Sequence, residues 1–175
     1  RMVRRGVPAA GWLGERRAGA GSARMTGYEV DARIVAPGRS EISAKGSRIA
    51  FDSSPGQSPD LPGPAELLAS AFAACLLKNV ERFSEILPFR QSGASVHVVV
   101  ERQDSPPRFT RITYELHVVT DEEPRRVALL HRNLTTHGTV FNTLASACEV
   151  TGQLVADVPA PGMTRSHPNE LEVLR

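Results

Sequence analysis

The chain has 175 residues, of which 41% are hydrophobic and 23% charged, a composition typical of an ordinary soluble globular protein. It contains no run of 18 apolar residues, so the sequence predicts no membrane-spanning helix and no membrane partner. Its formal net charge is only +2, and six of its 21 basic residues lie within residues 1–25, which leaves the remainder mildly acidic. Nucleic acid is therefore not an expected partner. The two cysteines are far apart and form no CxxC pair, a pattern that indicates a reducing cytoplasm rather than a disulfide framework or structural zinc.

The chain divides into an extension, one domain and a tail. Residues 1–26 are rich in Gly, Ala and Arg without hydrophobic periodicity, and we interpret them as a disordered or non-native extension. Such a leader is typical either of a targeting peptide or of sequence upstream of a true start at Met25, and it lacks the apolar segment of a secretory signal. Residues 27–158 are predicted to form the domain, and residues 159–175 a loosely held tail.

The domain begins with a predicted β-hairpin. Apolar and polar residues alternate from Tyr28 to Ile34, which predicts a half-buried strand. The segment APGR at 36–39 breaks the pattern, and a second strand follows up to Phe51. A loop rich in Pro, Ser and Gly then leads to residue 63.

The segment from Pro64 to Leu87 is predicted to be a long buried helix. Pro64 suits a first helical position, Glu66 suits the positive end of the helix dipole, and Pro88 ends the helix. Its N-terminal half carries almost only apolar side chains, many of them alanine, so this half needs cover on all sides. A partner helix from this chain or from a second subunit would provide that cover.

The second half of the domain repeats the strand and helix patterns. Residues Ala94–Arg102 and Phe109–Thr120 both alternate and predict a second hairpin, with four residues facing inward: Ile112, Tyr114, Leu116 and Val118. Asp121 is predicted to cap a second helix that ends at Gly138. A short helical turn at 140–147 and a last strand at 149–158 complete an α+β arrangement in which antiparallel hairpins pack on helices.

Two segments of this pattern resemble a known family. GPAELLASAFAAC at 63–75, followed by TVFNTL at 139–144, resembles the OsmC and Ohr family of osmotically inducible and organic-hydroperoxide-resistance proteins. The resemblance covers roughly residues 28–158. It implies an α+β fold in which antiparallel β-sheets wrap around the long central helices of an intertwined homodimer. Members with the full motif reduce peroxides through a reactive cysteine, a resolving cysteine, an arginine and a glutamate.

The family's four functional residues are only partly matched. Cys75 stands at the position of the reactive cysteine, and Arg39 matches the arginine that follows a glycine. Ala65 stands at the position of the glutamate; Glu66 comes one place later and points about 180° away from Cys75 on a helix. Gly138 occupies the position of the resolving cysteine.

The second cysteine does not replace the missing one. If the segment after residue 138 is helical, Cys148 is about 15 Å further along, too far for a disulfide at the resolving position.

Two functional hypotheses follow from this partial match. The first is a thiol-dependent reductase of small organic hydroperoxides in oxidative-stress defence, with Cys75 as the nucleophile, Arg39 as its activating cation and an external thiol as reductant. Lys78 is a second candidate cation. The alternative is a non-catalytic homodimer that binds a small hydrophobic ligand in an apolar cleft around Phe72, Cys75 and Phe141.

The sequence does not choose between these hypotheses. An isolated cysteine in an apolar helix is most often an inert, buried side chain. We expect no cofactor, and the histidine spacing predicts no metal site.

Overall fold

The computed structural model describes residues 26–56 and 58–159, so the predictions for residues 1–25 and for the tail from residue 160 lie outside the described part of the chain. The α+β prediction is confirmed. In chain order the elements are β1 (Asp31–Ala36), β2 (Arg39–Ala44), β3 (Ser47–Asp52), α1 (Pro64–Ile86), β4 (Gly93–Asp104), β5 (Pro107–Val119), α2 (Pro124–His137), α3 (Thr139–Ala145) and β6 (Glu149–Asp157). None of the described helices is long and apolar enough to cross a membrane.

The first three strands form an antiparallel N-terminal sheet in the order β1-β2-β3. The sequence predicted two strands here, but the chain reverses once more at Lys45, whose φ of 53° places it in the left-handed region of a turn. The strand register puts one set of apolar side chains on one face: Ala32, Ile34, Ile42, Ile49 and Phe51. On this apolar face Ile34 is 77% and Ile49 45% exposed. Within the described residues, the sheet has no extensive contact with a helix or with the second sheet.

The last three strands form a C-terminal sheet in the order β4-β5-β6. β4 and β5 make the predicted antiparallel hairpin, and the four residues predicted to face inward are all buried. β6 pairs with β5 in parallel, because the chain returns to the sheet through α2 and α3 instead of through a hairpin. The helices cover the inner face of this sheet, and the core lies between them.

Helix α1 matches its prediction to within one residue at its C-terminal end. The Glu66 carboxylate accepts a hydrogen bond of 3.0 Å from the N–H of Gly63, which satisfies a donor at the helix start. One face of α1 is buried in the core through Phe72, Leu76, Asn79, Val80 and Phe83. The opposite side, which we call the uncovered face, exposes Ser70, Ala71, Ala74 and Lys78. The predicted cover on all sides is therefore absent within one described chain.

Helix α2 begins later than predicted. Its N-cap is Glu123, and Pro124 occupies the first helical position. The prediction that Asp121 caps the helix is wrong, because Asp121 is exposed and accepts a hydrogen bond from Arg90 instead. The apolar stripe of α2 is buried as expected, through Val127, Leu130 and Leu134. The helix ends at Gly138, which is also the N-cap of α3.

Candidate functional site

Cys75 lies at the border between the two faces of α1. The residues one turn away on its buried side are Phe72 and Asn79, whereas Ala71 and Lys78 lie one turn away on its exposed side. The thiol is free and half-buried. Cys75 is therefore held by a helix that is anchored in the core, next to the residues of the uncovered face.

The Cys75 sulfur has one side-chain hydrogen-bond donor among the described residues. The Asn79 amide Nδ2 lies 3.6 Å from Sγ and donates to it along the same helix. Asn79 is only 7% exposed, so its amide is fixed by the surrounding core. The sequence pattern alone does not single out Asn79. The signal that was available was a polar amide one helical turn after the cysteine, on the side that faces the core.

Arg39 is placed away from the thiol. It is the exposed first residue of β2, in register with Asp52 and on the same face of the sheet as Glu41. No hydrogen bond joins Arg39 to Cys75 within the described part of a single chain. Its role as the activating cation stays a prediction. Lys78, the second candidate cation, lies about one helical turn after Cys75 on the exposed side of α1.

The two predicted ligand-binding phenylalanines are packed in the core. The rings of Phe72 and Phe141 stack with centroids 5.6 Å apart, and Tyr114 packs against both, with centroids 5.8 and 6.2 Å away. Phe72 is fully buried and Phe141 is 8% exposed. In a single chain, these rings therefore fill the space next to Cys75 and do not line an open cleft.

Gly138 lies against the group that contacts Cys75. A Cβ added to Gly138 would approach Asn79 Nδ2 to 3.3 Å, Phe141 Cβ to 2.9 Å and the Leu134 carbonyl oxygen to 3.1 Å. The resemblance assigns a resolving cysteine to this position. A side chain here would contact Asn79, which itself hydrogen-bonds to Cys75. Glycine fits there because a side chain would collide with its neighbours.

Cys148 is placed for packing and not for chemistry with Cys75. It follows α3 and donates its S–H to the carbonyl oxygen of Leu144 over 3.4 Å. Burial raises the pKa of the Cys148 thiol, which keeps it protonated and weakly reactive. Both cysteines are free thiols.

A tyrosine–histidine pair lies on the other side of the aromatic cluster. The Tyr114 hydroxyl is 2.7 Å from Nε2 of His131. Burial raises the pKa of Tyr114 to about 12 and lowers the pKa of His131, so both groups are neutral at pH 7. We assign the hydroxyl as the donor and Nε2 as the acceptor, which satisfies the buried hydroxyl.

Two surface grooves lie apart from Cys75. One, of about 550 Å³, runs between α2 and β6 past His131 and Leu154. The other, of about 390 Å³, lies between the start of α1 and Arg102. In residues 26–56 and 58–159, no group of three His, Cys, Asp or Glu side chains is arranged to hold a metal ion.

A comparison with known proteins identifies the family of this chain. The family model described as "OsmC-like protein" matches residues 56–152, more than half of the chain. This chain belongs to the OsmC-like protein family. The matched region includes the whole of α1 with Cys75, and also Gly138. No curated protein matches the sequence.

Solved structures of OsmC-like proteins share this fold at low sequence identity. The OsmC-like protein of Mycoplasma pneumoniae has a TM-score of 0.68 and 15% identity, over 75% of this chain and 97% of that one. An organic hydroperoxide resistance protein OsmC from Legionella pneumophila has a TM-score of 0.58 and 14% identity, over 73% and 96% of the two chains. OhrB of Bacillus subtilis, also named as an organic hydroperoxide resistance protein, gives 0.53 and 17%, over 74% and 98%. These likenesses confirm the predicted OsmC-like α+β fold.

Proposed function

We propose that this OsmC-like protein is a thiol-dependent reductase of small organic hydroperoxides, with Cys75 as its nucleophile. One observation carries the proposal: the free thiol of Cys75 is half-buried at the border of the uncovered face of α1, where a small peroxide has access. The names of two structural neighbours, both organic hydroperoxide resistance proteins, support this choice of substrate class. We place the reaction in the cytoplasm, where thiol pools keep cysteines reduced.

The proposed reaction balances with one cysteine. The Cys75 thiolate attacks the terminal oxygen of the hydroperoxide; an S–O bond forms, the O–O bond breaks, and the alkoxide that leaves takes up a proton to become the alcohol. Cys75 is oxidised to a sulfenic acid by two electrons. A dithiol reductant then condenses with the sulfenic acid, releases water, and restores the thiol through its own intramolecular disulfide. Glycine at residue 138, and a Cys148 thiol that donates its hydrogen bond to the Leu144 carbonyl oxygen, support recycling by an external thiol.

We further propose that the working unit is a homodimer. Two surfaces of the described chain lack cover: the apolar face of the N-terminal sheet, and the uncovered face of α1 with its alanines, next to the exposed Leu68 at the helix start. A second copy would bury the exposed apolar side chains of both surfaces. In that assembly the partner subunit's Arg39 is our candidate for the cation beside the thiolate.

The decisive experiment compares hydroperoxide consumption by matched cysteine variants. Cumene hydroperoxide and dithiothreitol are supplied to wild type, Cys75→Ser and Cys148→Ser. We expect wild type and Cys148→Ser to consume the peroxide at similar rates and Cys75→Ser to fall to the uncatalysed background, because only one thiol is the nucleophile. Equal background rates in wild type and Cys75→Ser would overturn the proposal.

A second comparison tests the cation. Arg39→Met is expected to lower the peroxidase rate by about tenfold or more, since an opposite charge beside a thiolate is commonly worth a factor of ten in its population. Arg33→Met is the matched control, because Arg33 lies on the same sheet and pairs with Glu41 at the surface. Lys78→Met is expected to have a smaller effect, because the proposal assigns the role of activating cation to Arg39. A larger loss in Lys78→Met than in Arg39→Met would transfer the role to the lysine.

The ligand-binding alternative lacks a supporting observation. It needs an open cleft beside Phe72 and Phe141, and both rings are stacked and buried. A ligand of this kind would have to separate the two rings. We therefore favour the reductase.

A further inference from the structure

Asn79 has the position of a group that acts on the Cys75 sulfur. The two residues are one turn apart on α1, so the helix backbone fixes the separation of their side chains. The amide Nδ2 donates to Sγ over 3.6 Å, within the range of an N–H to sulfur hydrogen bond. Asn79 is a buried polar side chain in the middle of an otherwise apolar helix face. An amide in such a place costs desolvation energy unless its hydrogen bonds are made.

The direction of this hydrogen bond matters for the chemistry. A thiolate only accepts hydrogen bonds, whereas a thiol also has a proton to donate, so an N–H aimed at sulfur favours the thiolate. The helix dipole does not supply this effect, because Cys75 is three turns from the start of α1 and the dipole acts mainly within the first turn. Within the described residues of one chain, the Asn79 amide is the side chain that donates a hydrogen bond to the sulfur and so favours the charged form.

Gly138 makes room for this amide. The junction of α2 and α3 packs on α1, and a Cβ on Gly138 would lie 3.3 Å from Asn79 Nδ2, closer than ordinary van der Waals contact. The same side chain would also press on Phe141, so it would move either the amide or the aromatic ring. The absence of a side chain at residue 138 and the amide at residue 79 therefore belong to one arrangement.

We propose that Asn79 stabilises the thiolate of Cys75, and the sulfenate formed from it, through its side-chain amide, and that Gly138 provides the space for that amide. The proposal rests on the proposed peroxidase for its biological use, but it concerns the reactivity of the thiol itself. It assigns a part of the activation of Cys75 to Asn79.

The test measures the reactivity of Cys75 against pH. In a Cys148→Ser background, the rate of alkylation by iodoacetamide is followed from pH 5 to pH 10. Asn79→Leu, which keeps the approximate size but removes the donor, is expected to raise the midpoint of the profile by about one pH unit and to slow alkylation at neutral pH about tenfold. Asn133→Leu is the matched control, because the Asn133 amide donates to the Leu129 carbonyl oxygen, away from Cys75. An unchanged midpoint in Asn79→Leu overturns the proposal.

Two further variants keep the proposal testable if Asn79→Leu does not fold. Asn79→Asp keeps the shape and replaces the donor by a negative charge, so it is expected to raise the midpoint more than Asn79→Leu does. Gly138→Ala leaves the amide intact but displaces it, and an intermediate rise is expected. A midpoint equal to that of the background in whichever of these variants folds counts against the proposal.

The outcome is independent of peroxide turnover. If wild type consumes no hydroperoxide but Asn79→Leu shifts the alkylation profile, the role of Asn79 stands and the peroxidase fails. If wild type consumes hydroperoxide and Asn79→Leu keeps the profile of the background, the peroxidase stands and the role of Asn79 fails.

Discussion

The two sheets of this protein have the same alternating sequence pattern and opposite surroundings. In the C-terminal sheet, the apolar side chains of β5 lie under the three helices, and Leu116 is fully buried. In the N-terminal sheet, the apolar face carries Ile34 and Ile49, and within the described chain both are exposed to solvent. Alternation therefore identifies which face of a strand is apolar, but it does not identify what covers that face. The contrast shows that the described residues of one chain cover the apolar face of the C-terminal sheet and leave that of the N-terminal sheet open, which agrees with the proposed homodimer.

The largest expected effect lies in the closed core. Leu130→Ala removes a fully buried side chain of α2 and is expected to lower the free energy of unfolding by about 2–5 kcal/mol, as the loss of core contacts and the cavity both contribute. Urea denaturation measures this loss. Leu68→Ala is the matched control at the exposed start of α1, and it is expected to cost less. Equal losses in the two variants would show that the start of α1 is as tightly packed as the core.

The next effect tests how closely the C-terminal sheet fits its helices. Gly152 lies opposite Tyr114 in the parallel ladder, and a Cβ there would overlap with the tyrosine ring. Gly152→Ala is expected to destabilise the fold by about 1–3 kcal/mol, because the ring must move away from its bond to His131. Gly93→Ala is the control, since a Cβ at Gly93 meets no atom within 4 Å. A thermal melt of Gly152→Ala that coincides with the melts of wild type and Gly93→Ala would contradict this close fit.

A smaller effect is expected on the free energy of self-association, from a change in the N-terminal sheet. Ile34→Ser is expected to weaken self-association about tenfold, or roughly 1.4 kcal/mol, because it removes apolar area from the proposed dimer interface. The fold of each chain should change little. Analytical ultracentrifugation over a range of protein concentrations gives the dissociation constant. Arg33→Ser, on the opposite face of the same strand, should leave it nearly unchanged. Equal constants for Ile34→Ser and wild type would remove this face from the interface.

The smallest effect concerns the solvent face of the C-terminal sheet. His117 lies 2.9 Å from a Glu115 oxygen and 3.1 Å from an Asp157 oxygen, and these carboxylates raise the pKa of the histidine. The hydrogen bond from His117 likewise lowers the pKa of Glu115. The charged histidine thus adds stability that is fully present below its unfolded pKa of about 6.5 and is lost as the pH rises through the raised folded pKa.

This sign predicts a pH-dependent difference between two proteins. His117→Gln should unfold at a lower urea concentration than wild type near pH 6, and the gap should close by about pH 9. The gap should be small, because the pair is exposed and screened. His97→Gln, on the same face, is the control. A stability difference between the two proteins that grows towards high pH would show that the charged histidine does not stabilise the fold.

Much of the fold follows from local sequence signals. Pro64 and Pro88 define the limits of α1, and the alternation on either side of the turn before Pro107 predicts the β4–β5 hairpin. The third strand of the N-terminal sheet was missed because one positive φ angle at Lys45 is enough to reverse the chain. The capping role of Asp121 was predicted from residue type alone, whereas in the fold its carboxylate pairs with Arg90.

The candidate site, like the fold, was only partly predictable from the sequence. The position of Cys75 on a core helix was predictable, since it depends on residues within the same helix. Its hydrogen bond with Asn79 was missed, because the helical pattern does not show whether an amide turns towards the sulfur or towards solvent. The placement of Gly138 against that amide depends on how α2 and α3 pack on α1, a contact between distant parts of the sequence.

The sequence by itself determined the elements, their apolar faces and the family signature around Cys75, because these depend on residues within a few turns or strand positions of one another. The tertiary structure alone decided which apolar faces are covered, that Arg39 and Cys75 are not in contact within one chain, and that Asn79 and Gly138 meet beside the sulfur. Those outcomes depend on close packing between segments that are remote in the chain, which local periodicity does not encode.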